Sequence, residues 1–132
     1  MLTRMSRILL ALPAILFTVS TSTAQEAGGD PTAGQRVFNQ CRACHTIEAG
    51  GRNMVGPNLH GVVGRQAASI QGFRYSSAMR AKAEGGLVWS EENLRAYLRN
   101  PKEVVPAGSM SFPGLRNQQQ LNDLIAYLRQ QR

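Results

Sequence analysis

Residues 41–45 have the sequence CRACH and contain both cysteines of the chain, Cys41 and Cys44, with His45 directly after the second. A cysteine pair with this spacing can form a disulfide, part of a zinc site, a redox-active dithiol or a covalent attachment site for haem. The choice among the four depends on the other possible ligands, on the surrounding elements and on the compartment.

Three of these uses fit the chain poorly. A disulfide across so short a loop constrains the unfolded chain very little. A zinc site needs four ligands, whereas His60 is the only other histidine and no further cysteine exists. A thioredoxin-like dithiol follows a strand in a βαβ unit, whereas this pair follows a predicted helix and precedes a glycine-rich loop.

Haem attachment accounts for the whole motif. Cys41 and Cys44 can each form a thioether with one vinyl group of the porphyrin, and the imidazole of His45 then lies close enough to bind the iron. C-x-x-C-H is a known signature of such attachment. The motif therefore predicts one covalently bound haem c.

A second axial ligand has four candidates in residues 25–132. Met54 lies only nine residues beyond His45, in a loop expected on the same side of the haem. Met79 lies in a predicted helix, where packing is its expected role, and His60 is expected to be a hydrogen-bonded loop residue. Met110 lies 65 residues beyond His45, in a loop with proline and glycine that can reach the opposite face. Sulfur favours reduced iron, so we expect Met110 to be the second ligand.

The first 24 residues have the pattern of a secretory signal peptide. The pattern consists of a basic start, an apolar run and small polar residues: Arg4 and Arg7, residues 8–19, and residues 20–24. We predict cleavage after Ala24, residues 25–132 as the monohaem domain, and a location in the periplasm. The alternative is an uncleaved anchor, but the apolar run is shorter than the ~20 residues that span a bilayer and Pro13 interrupts it.

The chain is basic, with 15 Lys and Arg against 8 Asp and Glu, which gives a net charge of +7. Loss of Arg4 and Arg7 with the signal would leave +5. This charge favours acidic partners. The arginines are dispersed, with no basic run and no interleaved aromatics, so nucleic acid is not a predicted partner. The basic residues expected around the haem edge are Arg42, Arg52, Arg99 and Lys102.

The hydrophobic pattern predicts an all-α domain with helices at both ends and long loops between them. Asp30 and Pro31 are typical of a helix start. Ala33, Val37 and Cys41, flanked by Phe38, are predicted to form one face, and Gly34 allows close approach of another segment. Further helices are predicted at residues 73–84, from Ser90 to Asn100, and from about Gln118. Residues 48–64 and 104–114 are predicted loops.

Residues 30–130 resemble a class I cytochrome c, the small soluble type found in mitochondria and bacteria. The resemblance is carried, in order, by Gly34 and Phe38, CRACH, VGPNLHGVVGR (55–65), GFRYSSA (72–78), WSEENLRAYLRNPKEVVP (89–106), Met110 with Phe112, and LNDLIAYL (121–128). It implies the cytochrome c fold, in which crossed N- and C-terminal helices, shorter helices and long loops surround one covalent haem.

The resemblance also implies roles for the residues around the haem. Cys41 and Cys44 would carry the thioethers, and His45 and Met110 would bind the iron from opposite sides. The carbonyl of Pro57 would accept a hydrogen bond from the free nitrogen of His45.

The remaining implied roles concern the haem periphery. Tyr97 would hydrogen-bond near the methionine sulfur, and Phe112 would shield the haem beside it. Arg65, Tyr75 and Trp89 would satisfy the haem propionates. Gly108 and Ser109 stand where mitochondrial members have threonine and lysine, so one propionate hydrogen bond and one docking charge are missing.

The implied function is that of an exported, monomeric electron carrier, as in a respiratory chain, whose iron cycles between Fe(III) and Fe(II) and which docks on acidic redox partner proteins. It would not stay inserted in a membrane after signal cleavage. Alternatives are a haem peroxidase or gas-binding protein with an open distal site, an electron-accepting subunit of one dehydrogenase, and a thiol–disulfide protein without haem.

Overall fold

A computed structural model describes residues 28–132, so the predicted signal peptide at residues 1–24 lies outside the described residues. Within these residues the fold consists of five helices: α1 (Pro31–Phe38), α2 (Ser77–Glu84), α3 (Glu91–Arg99), α4 (Pro101–Val104) and α5 (Gln118–Gln130). Over residues 28–132, β-pairing is limited to one isolated bridge between Gln66 and Val88. The predicted all-α class is confirmed.

The two terminal helices begin where the sequence predicts. The Asp30 side chain accepts a hydrogen bond from the Thr32 amide at 2.8 Å, with Pro31 at the first helical position, where its missing N–H costs nothing. At the start of α5 the Asn117 side chain accepts from the Gln120 amide at 3.0 Å. Each helix start therefore depends on a short polar side chain that satisfies an otherwise unpaired amide.

α1 and α5 cross in close contact, and a glycine makes this possible. A Cβ on Gly34 would overlap the backbone of Asp123, so any larger residue would force the helices apart. One turn later the fully buried Phe38 ring packs on Tyr127, with ring centroids 5.4 Å apart. The buried face of α1 is thus formed by Gly34 and Phe38.

The predicted face of α1 was partly wrong. Ala33 and Val37 are only half-buried, because the helix turns its glycine side toward α5. Val37 packs at the edge of the core, and Cys41 lies beyond the end of α1 in a turn. Close approach of the two backbones, rather than the largest apolar side chains, sets the rotation of this helix.

The middle helices differ from prediction in two places. α2 begins at Ser77 and not at residue 73, because the Ser76 hydroxyl caps it by accepting from the Met79 amide at 3.1 Å. α3 begins after Ser90 as predicted. The sequence analysis missed α4: Pro101 ends α3 but also starts this four-residue helix.

The core lies between α1, α3 and α5 and extends under the long loop that follows the cysteine motif. Its fully buried members come mainly from α5, together with Phe38 of α1 and Val105 after α4. None of the five described helices is long and apolar enough to span a bilayer. One side of this core opens into a cleft, which contains the predicted site.

Candidate haem site

A cleft of about 270 Å³ opens between the cysteine motif, the loop that follows it, α3 and the segment after α4. All ten residues predicted for the site line this cleft: Cys41, Cys44, His45, Pro57, Arg65, Tyr75, Trp89, Tyr97, Met110 and Phe112. They come from points of the chain up to 71 residues apart, so the fold alone brings them together. His45 and Arg65 are the only basic side chains among the described residues that line the cleft.

His45 is held on one wall by the backbone of the next loop. Its Nδ1 lies 2.7 Å from the Pro57 carbonyl oxygen. Since a carbonyl can only accept, Nδ1 carries the proton and donates, which leaves Nε2 as an unprotonated nitrogen available to a metal. Burial lowers the pKa of the imidazole, partly offset by the bond to Pro57, so the neutral form is favoured.

The loop fits tightly against the histidine ring. A Cβ on Gly56 would overlap the ring, so this position must be glycine for the loop to pass. On either side, the Gly56 amide donates to the Cys44 carbonyl at 2.8 Å and the Leu59 amide donates to the Thr46 carbonyl at 2.9 Å. Three consecutive residues of the motif segment are thus bonded to the loop, which fixes the direction of the imidazole.

Met110 lines the cleft from the segment that follows α4. The Tyr97 hydroxyl donates to its sulfur at 3.9 Å, a weak bond that still orients the thioether. Burial raises the pKa of Tyr97, so the phenol stays protonated and remains a donor. Its ring packs on Trp89, with centroids 4.8 Å apart.

Arg65 and Tyr75 already have protein partners. The Arg65 guanidinium donates to the carbonyls of His60 at 3.0 Å and Asn58 at 3.1 Å, and burial lowers its pKa. The Tyr75 hydroxyl accepts from the Ile70 amide at 3.2 Å, and burial raises its pKa. Guanidinium has five N–H donors, so Arg65 keeps donors for a further acceptor in the cleft.

Both cysteines are free thiols at the edge of the cleft. Burial, and secondarily the neighbouring Cys44, raises the pKa of the Cys41 thiol to about 11. Redox-active cysteines have thiol pKa values lowered to about 3.5–7.5. Burial therefore keeps the Cys41 thiol protonated, and it would be a poor attacking thiolate.

Of the other candidate ligands, Met79 lines the cleft, whereas His60 and Met54 do not. The His60 Nδ1 lies 3.2 Å from the Ile47 carbonyl oxygen, and His60 does not line the cleft. Met54 is on the surface, 36% exposed. Met79 lines the cleft from α2 and is half-buried.

Sequence reasoning missed several lining residues. Apolar ones such as Val62, Leu94 and Leu128 carry no chemical signature that separates them from ordinary core. Val55 also lines the cleft yet is 80% exposed, which places it at the mouth. Among the residues that the sequence does not single out, Asn58 is the one with the most hydrogen bonds in this region, although its side chain does not line the cleft.

The predicted basic rim is exposed but partly engaged within the protein. Arg42 lies 3.7 Å from Glu48 and over the Phe38 ring, and Arg99 donates to Gln118 at 2.6 Å. The Lys102 ammonium donates to the Gly108 carbonyl, two residues before Met110.

Comparison with known proteins identifies the family. The family model described as "Cytochrome c" matches residues 31–132. The chain belongs to the cytochrome c family. It is 43% identical to the cytochrome c2 of Blastochloris viridis over 115 residues, which cover 87% of this chain and 88% of the relative.

Two further relatives widen the comparison. Identity is 45% with the cytochrome c2 of Rhodoblastus acidophilus, over 77% of this cytochrome and 92% of that one. It is 43% with the cytochrome c of Ginkgo biloba, over 77% and 88% respectively. None of these three relatives is named as a peroxidase, a gas-binding protein or a dehydrogenase subunit.

As a cytochrome c, the protein carries one covalent haem c, transfers electrons with redox partner proteins and is not an enzyme. The residues of the cleft fit that group. Two free thiols stand beside a histidine whose Nε2 is available, an apolar cleft opens next to them, and a thioether with a hydroxyl donor lines the same cleft. Paired histidine and methionine ligation, in which the thioether favours reduced iron, raises the potential of haem iron.

Proposed function

We propose that the protein is an exported, monomeric electron shuttle whose iron is bound by His45 and Met110, with Cys41 and Cys44 as the thioether positions. The observation that carries this proposal is that one cleft contains both the Pro57-bonded His45 and the Tyr97-bonded Met110. When bound, haem supplies one-electron exchange between Fe(III) and Fe(II).

His45 holds its position during electron exchange because its proton stays on Nδ1. The bond to Pro57 fixes the ring plane and makes Nε2 a better electron donor. Tyr97 orients the Met110 sulfur from the other side. With both side chains held by the protein, little would have to rearrange when a bound haem changes its charge, and small molecules would find no open position.

The residues at the periphery of the cleft limit the access of water and compensate the charge of the propionates. Arg65 and Tyr75 are the polar groups proposed to face the propionates, with the Trp89 indole beside them. Phe112, half-buried after Met110, covers the methionine side. An apolar lining of this kind lowers the dielectric constant around the iron, which strengthens every electrostatic effect on its potential.

Partners are proposed to dock at the mouth of the cleft, where Val55 and the polar residues Gln40 and Ser109 are exposed. The surrounding arginines, and the net charge of +5 that remains once Arg4 and Arg7 are removed with the signal, favour partners with carboxylates at the contact. Association rates with such a partner should fall as ionic strength rises. A rate that does not change with salt would remove this part of the proposal.

The location in the periplasm, and the secretory signal that ends at Ala24, are supported by the sequence pattern of residues 1–24. The covalent use of both cysteines also suits a compartment outside the cytoplasm.

One experiment tests the proposal as a whole. The protein is expressed with its full leader, recovered from the periplasm, and examined by reduced-minus-oxidised spectroscopy and intact mass. We expect a c-type spectrum, a ferric sulfur-to-iron charge-transfer band, and the mass of residues 25–132 plus one haem. A colourless polypeptide, or haem that extracts into acidic organic solvent, would contradict it.

A further inference from the structure

We propose that Asn58 is a positioning residue for electron transfer: its buried amide fixes the peptide that bonds to His45 and so sets the reduction potential. The inference rests on the proposed ligation by His45. It assigns a role to a side chain that does not line the cleft and that the sequence analysis gave no role, although it lies in the VGPNLHGVVGR block.

Asn58 is buried, with 7% of its surface exposed, and all of its polar groups are bonded. Its Nδ2 donates to the Thr46 hydroxyl oxygen at 2.7 Å and to the Glu48 carbonyl at 3.0 Å. Its Oδ1 accepts from the His60 amide at 3.0 Å. A buried amide with this many partners has one orientation, because any rotation leaves a polar group unpaired.

The backbone of Asn58 is tied to the histidine through a single peptide unit. The Pro57 carbonyl accepts from His45 Nδ1 at 2.7 Å, and the Asn58 amide on the opposite edge of the same peptide plane donates to Asn53 Oδ1 at 3.0 Å. Because the peptide is planar, these two bonds fix the direction of the carbonyl together. The hydrogen bond that holds this unit from the edge opposite the histidine is thus donated by the Asn58 backbone amide and accepted by the Asn53 side chain.

The side chain of Asn58 anchors this peptide to the motif segment. Thr46, which takes one of the two Nδ2 bonds, directly follows His45 and in turn donates to the Arg52 carbonyl at 2.7 Å. A Cβ on Gly51 would lie 2.7 Å from Asn58 Nδ2, so the amide is also enclosed from above. The histidine and its hydrogen-bond acceptor are therefore held in one rigid unit.

The direction of the effect follows from hydrogen-bond chemistry. A strong bond from Nδ1–H to a carbonyl increases the electron density on Nε2, which favours the ferric state. If the Asn58 network is weakened, the Pro57 carbonyl moves more freely and its hydrogen bond to His45 weakens. The electron density on Nε2 then falls, and the ferrous state is stabilised relative to the ferric state. The reduction potential should therefore rise.

The test uses two pairs of variants of the haem-loaded protein: Thr46→Val with Thr46→Ser, and Asn58→Ala with Asn122→Ala. Thr46→Val removes the hydroxyl but keeps the side-chain shape, and Thr46→Ser restores it. Asn58→Ala removes the amide. Asn122→Ala is the matched control, because Asn122 also has two side-chain hydrogen bonds, to Arg95 and Gln118, but does not line the cleft.

Two readouts separate positioning from simple stabilisation. The first is the reduction potential, and the second is the exchange rate of the His45 Nδ1 proton with solvent, followed by nuclear magnetic resonance in the ferrous state. For Thr46→Val and Asn58→Ala we expect the Fe(II)/Fe(III) ratio at fixed potential to rise about threefold, which is about 28 mV at 59 mV per tenfold change. Proton exchange should be about threefold faster or more. Thr46→Ser and Asn122→Ala should match the parent protein in both readouts.

Two results would overturn the inference. One is that Thr46→Val unfolds more easily while both readouts stay at the values of Asn122→Ala, since the network would then only stabilise the loop. The other is that Thr46→Ser shifts the potential as much as Thr46→Val. Absence of haem in the parent protein, or of histidine ligation, would instead contradict the proposed function, and the parent spectrum distinguishes these cases.

Discussion

The Tyr97 hydroxyl donates to the Met110 sulfur at 3.9 Å and so joins α3 to the segment after α4. Tyr97 is 8% exposed and packs on Trp89, which means that its ring has little freedom to move. The position of the sulfur thus depends on a residue 13 positions earlier in the chain.

Replacing Tyr97 with Phe should lower the free energy of unfolding by about 0.5 kcal/mol near neutral pH, the low end of the net value of a hydrogen bond, because thioether sulfur is a weak acceptor. Burial raises the pKa of Tyr97 above its ordinary value of 10.0. Above that pH the unfolded phenol ionises first, so the parent loses stability as pH rises. The difference between parent and Tyr97→Phe should shrink above about pH 10, measured by denaturant titration at each pH. A difference that grows with pH would contradict this.

Met110→Ala should abolish the ferric charge-transfer band, lower the reduction potential and admit cyanide and carbon monoxide, because it opens one coordination position. Met79→Ala is the control, since Met79 lines the same cleft from α2. We expect Met79→Ala to keep the band and to exclude both molecules. Loss of the band in Met79→Ala but not in Met110→Ala would exchange the two assignments.

Ala107 has a φ of 60°, a left-handed conformation that is unfavourable for a residue with a Cβ. Ala107→Gly should relieve this strain three residues before Met110. The resulting gain in stability is partly offset by the greater conformational freedom of glycine in the unfolded chain. Because the relaxed segment should open less readily, we expect cyanide to displace the Met110 sulfur from the haem iron about two- to threefold more slowly.

The chain contains a matched control for this prediction. Ala68 has a φ of 54° in another loop and does not line the cleft. Ala68→Gly should change stability by a similar amount without affecting the cyanide rate, measured by stopped-flow absorbance of the ferric protein. Equal effects of the two variants would mean that strain near Met110 has no special role.

Gly34→Ala should destabilise the protein by about 1–3 kcal/mol, because the new Cβ overlaps the backbone of Asp123 and forces α1 away from α5. Helix propensity alone predicts the opposite sign, since alanine favours helices by about 1 kcal/mol over glycine. The neighbouring exposed Gln35→Ala should change stability by less than about 0.5 kcal/mol. Thermal denaturation of the three proteins distinguishes the two effects.

Much of this architecture could be predicted because local rules and tertiary packing agree. The start of α5 at Gln118 follows from the 3.6-residue spacing of Leu121, Leu124, Ile125 and Leu128, all of which are buried. The start of α1 follows from Asp30 and Pro31. The site residues follow from the cysteine motif and the family resemblance, and one cleft contains all of them.

The remaining features depend on contacts that no periodicity reveals. α4 was missed because four residues are too few for a helical pattern, and Pro101 was interpreted only as the end of α3. The rotation of α1 depends on a glycine meeting a distant backbone. Asn58 looks like an ordinary turn residue until its partners, up to twelve positions away, are known.

The pairing of α1 with α5 has a consequence for biogenesis. During synthesis or translocation α1 emerges before α5, and α5 is complete only at Gln130, 92 residues after the end of α1 at Phe38. The core between α1 and α5 therefore cannot form until α5 has appeared. Under the proposed attachment at Cys41 and Cys44, both thiols would therefore be open to reaction with the porphyrin before folding encloses them.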